Sequence, residues 1–210
     1  MKPPSKSPAP RCPRQLESVG ILFCDVVGFT AYCNQHSAQE VHAHLQRLVE
    51  TFERITAERG MEKIKTIGDA FMAVAQAPVP VEERVLTAVR CGLALIAAAK
   101  SQPPFWTVRV GVHAGPVAAG VVGHRKYQYD IWGDTVNLAK RLQEAARPGT
   151  VCVAADLDDR LGALPAASSG DRIELKGRGA MEVLCIEPPR ARDWTTDETK
   201  PATTARLEIH

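Results

Sequence analysis

Two aspartates stand at the ends of short apolar segments, where their carboxylates could act together. Asp25 closes the run "ILFCD", and Asp69 follows Gly68 in "KTIGDAFMA". If the two segments pair as strands, the carboxylates converge and repel each other unless a cation lies between them. Oxygen ligands favour Mg²⁺ or Mn²⁺, especially where phosphate oxygens complete the coordination shell. The pair predicts a metal site for phosphoryl chemistry, although Asp25 taken alone could equally be a helix cap.

The residues after Asp25 predict a helix that begins beside the carboxylate. Gly28 is followed by Phe29 and Thr30, which open this helix. The free N–H groups of a helix N-terminus favour anions, so the combination suits a metal-bound phosphate.

Two further pairs of polar residues could serve the same chemistry. Lys65 and Asp69 are four residues apart and would form a surface ion pair on a helix, but the β-formers around Gly68 predict two strands instead. Asn137 and Arg141 are also four apart, inside a predicted helix, so they share one face. A phosphate would suit that face; a solvated helix surface is the alternative.

The elements that must position these residues follow one pattern without a linker-like break. Residues 1–17 are rich in Pro, Ser, Lys and Arg and predict a disordered arm, residues 188–210 predict a disordered tail, and residues 18–187 predict one domain. A helix after Ser37 has a capping box with Glu40. The element order predicts an α/β (α+β) sandwich of the ferredoxin-like kind, with helices packed on one face of an antiparallel-rich sheet.

Several strands and turns are predicted in detail. Two strands turn at Gly68 and Asp69, and two more are expected to meet around Gly115 and Pro116. Three short strands follow the helix that carries Asn137.

Charge and cysteine content exclude some classes of partner and compartment. With 26 Lys and Arg against 24 Asp and Glu, the net charge of +2 gives no reason to expect nucleic acid or an anionic membrane. The six cysteines contain no C-x-x-C pair, which favours reduced thiols and a cytoplasmic location over disulfides or zinc. No signal peptide or membrane-spanning run is predicted in this chain.

Three segments together resemble one family. "ILFCDVVGFT", "KTIGDAFMA" and "YQYDIWGDTVNLAKRL" are similar, in the same order, to the signature segments of class III adenylyl and guanylyl cyclases. The resemblance covers Ser18 to Glu187. It implies the nucleotide cyclase fold and a role in cyclic nucleotide signalling.

The resemblance also assigns roles to individual residues. Asp25 and Asp69 match the metal-binding aspartates, which would hold two Mg²⁺ or Mn²⁺ ions per site. Lys65 and Asp130 match the pair that reads the purine. Asn137 and Arg141 match the family's residues that steady the ribose and the transition-state phosphate. Lys176 and Arg125 match residues that contact the phosphates.

The pair at the purine site favours ATP. A carboxylate can accept a hydrogen bond from the adenine N6 amino group, and an ammonium can donate to the ring nitrogen N1, whereas guanine reverses this pattern. The family's guanylyl cyclases typically carry Glu and Cys or a similar residue at these two positions. The expected reaction is the attack of the ribose 3′-hydroxyl of ATP on its α-phosphate, releasing pyrophosphate.

The family also implies a homodimer with active sites at the subunit interface. The metal aspartates would come from one subunit, and the purine-reading and transition-state residues from the other. The alternatives are a guanylyl cyclase and a nucleotide-binding regulatory module without catalysis. A diguanylate cyclase is disfavoured because "TIGDAF" is unlike a "GGDEF" hairpin. The Pro-rich arm would suit a tether to an upstream sensor or regulatory domain.

Overall fold

The described residues form one eight-stranded mixed sheet with four α-helices. A computed structural model describes residues 13–123, 127–161, 164, 168–175 and 179–188. The strands are β1 (Arg14–Val26), β2 (Glu62–Ile67), β3 (Ala70–Ala75), β4 (Val108–Val122), β5 (Gln128–Trp132), β6 (Val151–Ala154), β7 (Ser168–Leu175) and β8 (Gly179–Ile186). The helices are α1 (Phe29–Gln35), α2 (Ala38–Glu58), α3 (Arg84–Ser101) and α4 (Asp134–Ala145), with short 3₁₀ turns at Val81–Glu83 and Ala155–Arg160.

The strand order explains how distant segments meet. The sheet runs β2-β3-β1-β4-β6-β8-β7, with β5 paired to β4, and every pairing is antiparallel except that of β4 with β6. The central position of β1 brings Asp25 next to the β2–β3 hairpin on one side and to β4 on the other. This architecture confirms the predicted α+β fold.

The two faces of the sheet are covered by different helices. Alternate residues of β1 point to opposite faces, as strand geometry requires. Leu22 and Cys24 pack with α2 and α3, whereas Ile21 and Phe23 pack on the face that Ala139 of α4 covers. The prediction that all helices lie on one face is therefore wrong for α4. The apolar side of α4 covers the second face of the sheet. Without α4, the apolar residues of β1 and β3 on that face would be exposed to solvent.

Two boundaries differ from the sequence prediction, one within β4 and one at the start of β1. Residues 108–122 form a single strand rather than two that meet at Pro116. Pro116 lies opposite a register shift between Leu16 and Val19 of β1, where the ladder does not require its missing N–H. β1 itself begins at Arg14, inside the segment predicted as a disordered arm, because Arg14 pairs with Ala119 of the long β4.

Strand β5 was missed by the sequence analysis. Its segment "QYDIW" has mainly polar and aromatic residues, and only Ile131 is buried, so no apolar alternation marks it. The remaining predicted elements are present, including the Ser37–Glu40 capping box at the start of α2. Among the described residues, no helix combines the length and apolar character that crossing a bilayer would take.

Candidate active site

Asp25 and Asp69 come together at the end of β1. Gly68 adopts φ 61°, a left-handed conformation that suits glycine, and this turn directs Asp69 towards β1. The Asp69 carboxylate accepts a hydrogen bond from the backbone N–H of Val26, with an N to Oδ2 distance of 3.2 Å. The predicted convergence of the two aspartates is therefore what the fold produces.

The proximity of the two carboxylates changes the protonation of one of them. The pKa of Asp69 is raised from 3.8 to about 6, first by burial and then by the hydrogen bond with Asp25 and the negative charge of Asp25. Two crowded carboxylates of this kind favour a bound cation, and their oxygen donors suit Mg²⁺ or Mn²⁺. In the described part of the chain, no group of three or more His, Cys, Asp or Glu forms a ready-made metal cage. The donor set fits an ion whose shell is completed by phosphate.

Two residues that the sequence analysis did not select contact Asp25. Arg109 of β4 is its cross-strand partner, and the guanidinium Nη2 lies 3.3 Å from Asp25 Oδ2. The Nε of Arg109 is buried without a hydrogen-bond partner among the described residues. Gln143 of α4 donates from Nε2 to the same carboxylate oxygen at 3.3 Å. An arginine in the apolar run "VRVGV" was the available sequence signal for Arg109.

Lys65 and Asp130 form the second charged pair. The Lys65 Nζ lies 2.5 Å from Asp130 Oδ2, and the two side chains are only 21% and 17% exposed. A bond from the Ile131 N–H to Asp130 Oδ1 holds the carboxylate. Lys65 thus pairs with Asp130 and not with Asp69, its neighbour in sequence, as the purine-site prediction requires.

Asn137 and Arg141 occupy successive turns of α4. Asn137 is exposed and Arg141 is half-buried. Within the described ranges neither side chain has a hydrogen bond or an ion pair, so both are available to a ligand or a partner chain. Phe29 packs edge-on against Trp106 with ring centroids 6.0 Å apart, and Thr30 beside it is exposed. The predicted phosphate contacts Arg125 and Lys176 lie outside the described residues.

Comparison with known proteins identifies the family. Residues 12–188 match the model of the adenylate and guanylate cyclase catalytic domain. The chain belongs to this family and carries a class III nucleotide cyclase domain.

Individual relatives include both kinds of cyclase. The chain is 34% identical over 169 residues to an adenylate cyclase of Mycobacterium bovis, and the match covers 79% of this chain but 38% of the relative. The chain thus spans well under half of that protein.

Solved structures give the same fold. The catalytic core of a rhodopsin-guanylyl cyclase with converted specificity, in complex with ATPαS, superposes with a TM-score of 0.78 at 29% identity, covering 84% of this chain and 98% of that one. A dimeric guanylyl cyclase domain of the RhoGC fusion protein from Blastocladiella emersonii gives 0.74 at 25% identity, covering 84% and 99%.

Proposed function

We propose that this chain is an adenylyl cyclase that converts ATP to 3′,5′-cyclic AMP and pyrophosphate. The observation that carries the choice of ATP is the Lys65–Asp130 pair, in which an ammonium and a carboxylate are held 2.5 Å apart. A donor and an acceptor fixed side by side match the N1 acceptor and N6 donor of adenine. Guanine presents an acceptor at O6 and a donor at N1, the reverse of adenine. With guanine bound, the largely buried Lys65 and Asp130 would therefore each face a group of the wrong hydrogen-bonding type.

The reaction is an in-line displacement at the α-phosphorus. The ribose 3′-oxygen forms a bond to this phosphorus, the bond to the β-phosphate oxygen breaks, pyrophosphate leaves, and the hydroxyl proton passes to solvent. Asp25 and Asp69 would hold Mg²⁺ or Mn²⁺, two ions per site. When bound, these ions lower the pKa of the 3′-hydroxyl and neutralise phosphate charge.

The cationic residues have distinct tasks in this proposal. Arg141 offsets the charge that develops on the α-phosphate, and Asn137 on the same helix orients the ribose. Arg109, already beside Asp25 at 3.3 Å, adds positive charge where the phosphates would bind. Arg125 and Lys176 are expected to neutralise the leaving pyrophosphate, and Phe29 and Thr30 to border the phosphates at the start of α1.

The surface supports a homodimer with two shared sites. Large apolar side chains are exposed on the β4–β5 and β2–β3 hairpins, and clustered exposure of this kind marks interaction surfaces. They are Ile67 (58%), Val122 (54%), Tyr127 (60%), Tyr129 (38%) and Trp132 (38%). A second copy covering these hairpins would place its own residues beside Lys65 and Asp130. The expected setting is the cytoplasm, downstream of a sensor or regulatory domain.

A side-by-side assay tests the choice of nucleotide. Purified protein at high concentration is incubated with ATP or GTP and either Mg²⁺ or Mn²⁺, and the cyclic product and pyrophosphate are quantified. Cyclic AMP should dominate. Equal or greater turnover of GTP would instead favour a guanylyl cyclase, and nucleotide binding without pyrophosphate release would favour a regulatory module.

A further inference from the structure

Gln143 is a fully buried polar side chain at the metal site. Its side chain lies on α4 with 0% exposure, and glutamine is rarely buried to this extent unless it is hydrogen-bonded. Every other buried residue of α4 is apolar except Thr135 near the start of the helix. An aliphatic side chain would fill a purely structural position on this face of α4. The presence of a buried amide there therefore requires another explanation.

Both ends of the Gln143 amide are used. Lys140 Nζ donates to its Oε1 at 2.6 Å, and its Nε2 donates to Asp25 Oδ2 at 3.3 Å. An ammonium group can only donate, so the bond from Lys140 fixes the oxygen on its own side. The NH₂ group is thereby directed at the carboxylate.

The end of α4 is anchored where this contact forms. A Cβ at Gly111 of β4 would lie 2.1 Å from the backbone N of Gln143 and 2.5 Å from the backbone O of Ala139, so the helix rests directly on the strand. One residue later, the Glu144 carbonyl accepts a 2.9 Å bond from Arg109 Nη1. The last turn of α4 therefore holds both Asp25 and the arginine that pairs with it.

We propose that Gln143 is a positioning residue for the metal site. By donating to Oδ2, it holds the Asp25 carboxylate in one orientation without adding charge beside the Asp25–Asp69 pair. The amide does not touch the nucleotide; it acts through Asp25. This inference rests on the proposed metal-binding role of Asp25.

The test measures metal binding separately from turnover. In Gln143→Met, a side chain of similar length replaces the amide and removes the donor. Binding of Mn²⁺ is measured from the electron paramagnetic resonance signal of free Mn²⁺, in the presence of an ATP analogue that lacks the 3′-hydroxyl. We expect Mn²⁺ affinity to fall about 10–100-fold, as for other residues that orient a ligating group, and kcat to fall with it. The KM for ATP at saturating metal should change little.

A second variant and a control complete the experiment. Lys140→Met leaves Gln143 in place but frees its amide to turn, and Lys140 is 35% exposed, so the fold should persist. It should weaken Mn²⁺ binding by a smaller factor. Gln46→Met removes another helix glutamine that donates to a carboxylate, that of Glu50 at 2.7 Å on the exposed surface of α2, and should leave Mn²⁺ affinity unchanged.

The outcomes distinguish the inference from the proposed function. If Gln143→Met lowers only the melting temperature while folded protein binds Mn²⁺ as tightly as wild type, Gln143 is structural and the inference is overturned. The same holds if Gln46→Met weakens Mn²⁺ binding as much. If wild-type protein itself binds no Mn²⁺ with the analogue, the metal role of Asp25 fails, and the inference falls with it.

Discussion

Two charged pairs of the candidate site differ in kind: Asp25 and Asp69 carry the same charge, whereas Lys65 and Asp130 carry opposite charges. The fold presses two carboxylates together at the end of β1, and the pKa of Asp69 rises to about 6 through burial and the neighbouring Asp25. At the other pair, opposite charges meet at 2.5 Å and satisfy each other. Arg109, 3.3 Å from Asp25, offsets only one of the two negative charges of the first pair, whereas the opposite charges of the second pair balance each other. A like-charge pair thus indicates a ligand more strongly than an ion pair does.

The largest expected effect comes from removing the like-charge pair. Asp25→Ala should lower cyclase activity at least about 1000-fold, because a metal ligand is lost where negative charge develops.

Arg141→Ala should lower cyclase activity about 100–1000-fold, as for other groups that stabilise the transition state.

Mixing the two variants tests the shared site. An equal mixture of Asp25→Ala and Arg141→Ala chains should regain about one quarter of wild-type activity, since half of the dimers would be mixed and each would hold one intact site. Activity is measured as cyclic AMP formed per chain, with dimers confirmed by ultracentrifugation. Dimers that stay inactive would contradict a site built from two chains.

A smaller effect is expected from the opposite-charge pair. Lys65→Glu combined with Asp130→Cys should lower turnover of ATP about 100-fold and raise the GTP to ATP ratio, because the donor and acceptor at the base are reversed. The matched control is Lys63→Glu on the same strand, whose lysine pairs with Glu53 of α2 at 2.5 Å. It should keep the preference for ATP. An unchanged ratio in the double variant would remove Lys65 and Asp130 from base recognition.

The pKa of Asp69 predicts an effect of pH on stability without metal. Because this pKa is raised from 3.8 to about 6 in the fold, the stability linked to the proton is fully present below pH 3.8 and is lost as the pH rises through about 6. Asp69→Asn keeps the acceptor for the Val26 N–H but cannot ionise. It should therefore melt at a higher temperature than wild type at pH 7.5, and the difference should shrink below pH 6. A variant that is less stable at pH 7.5 would contradict the crowding of the carboxylates.

The smallest expected effect is the contribution of the Lys65–Asp130 ion pair to the stability of the fold. A double-mutant cycle with Lys65→Met and Asp130→Asn, measured by urea unfolding, should give a coupling free energy of about 1 kcal/mol for this largely buried pair. The exposed pair Arg54–Glu58 on α2, whose side chains are 62% and 53% exposed, is the reference. Its coupling should be about 0.3–0.5 kcal/mol. Equal values would mean that burial adds nothing at Lys65.

The sequence alone was sufficient for the family, the α+β class and the convergence of Asp25 and Asp69, whose role in metal binding stays a prediction. Local signals carry this information: an apolar run that ends in Asp25, a glycine that must adopt positive φ before Asp69, and a capping box at Ser37. Each depends on residues close together in the chain, where strand and turn preferences act. The roles of Asn137 and Arg141 remain predictions.

Only the tertiary structure decided several other contacts between residues far apart in sequence. Strand β4 continues through Pro116 because a register shift in β1 lies opposite. Strand β5 forms because β4 is long enough to pair with it. Arg109 and Gln143 meet Asp25 because β4 pairs with β1 and α4 rests on Gly111. Such contacts arise from register and close packing between segments far apart in sequence, and no local pattern encodes them.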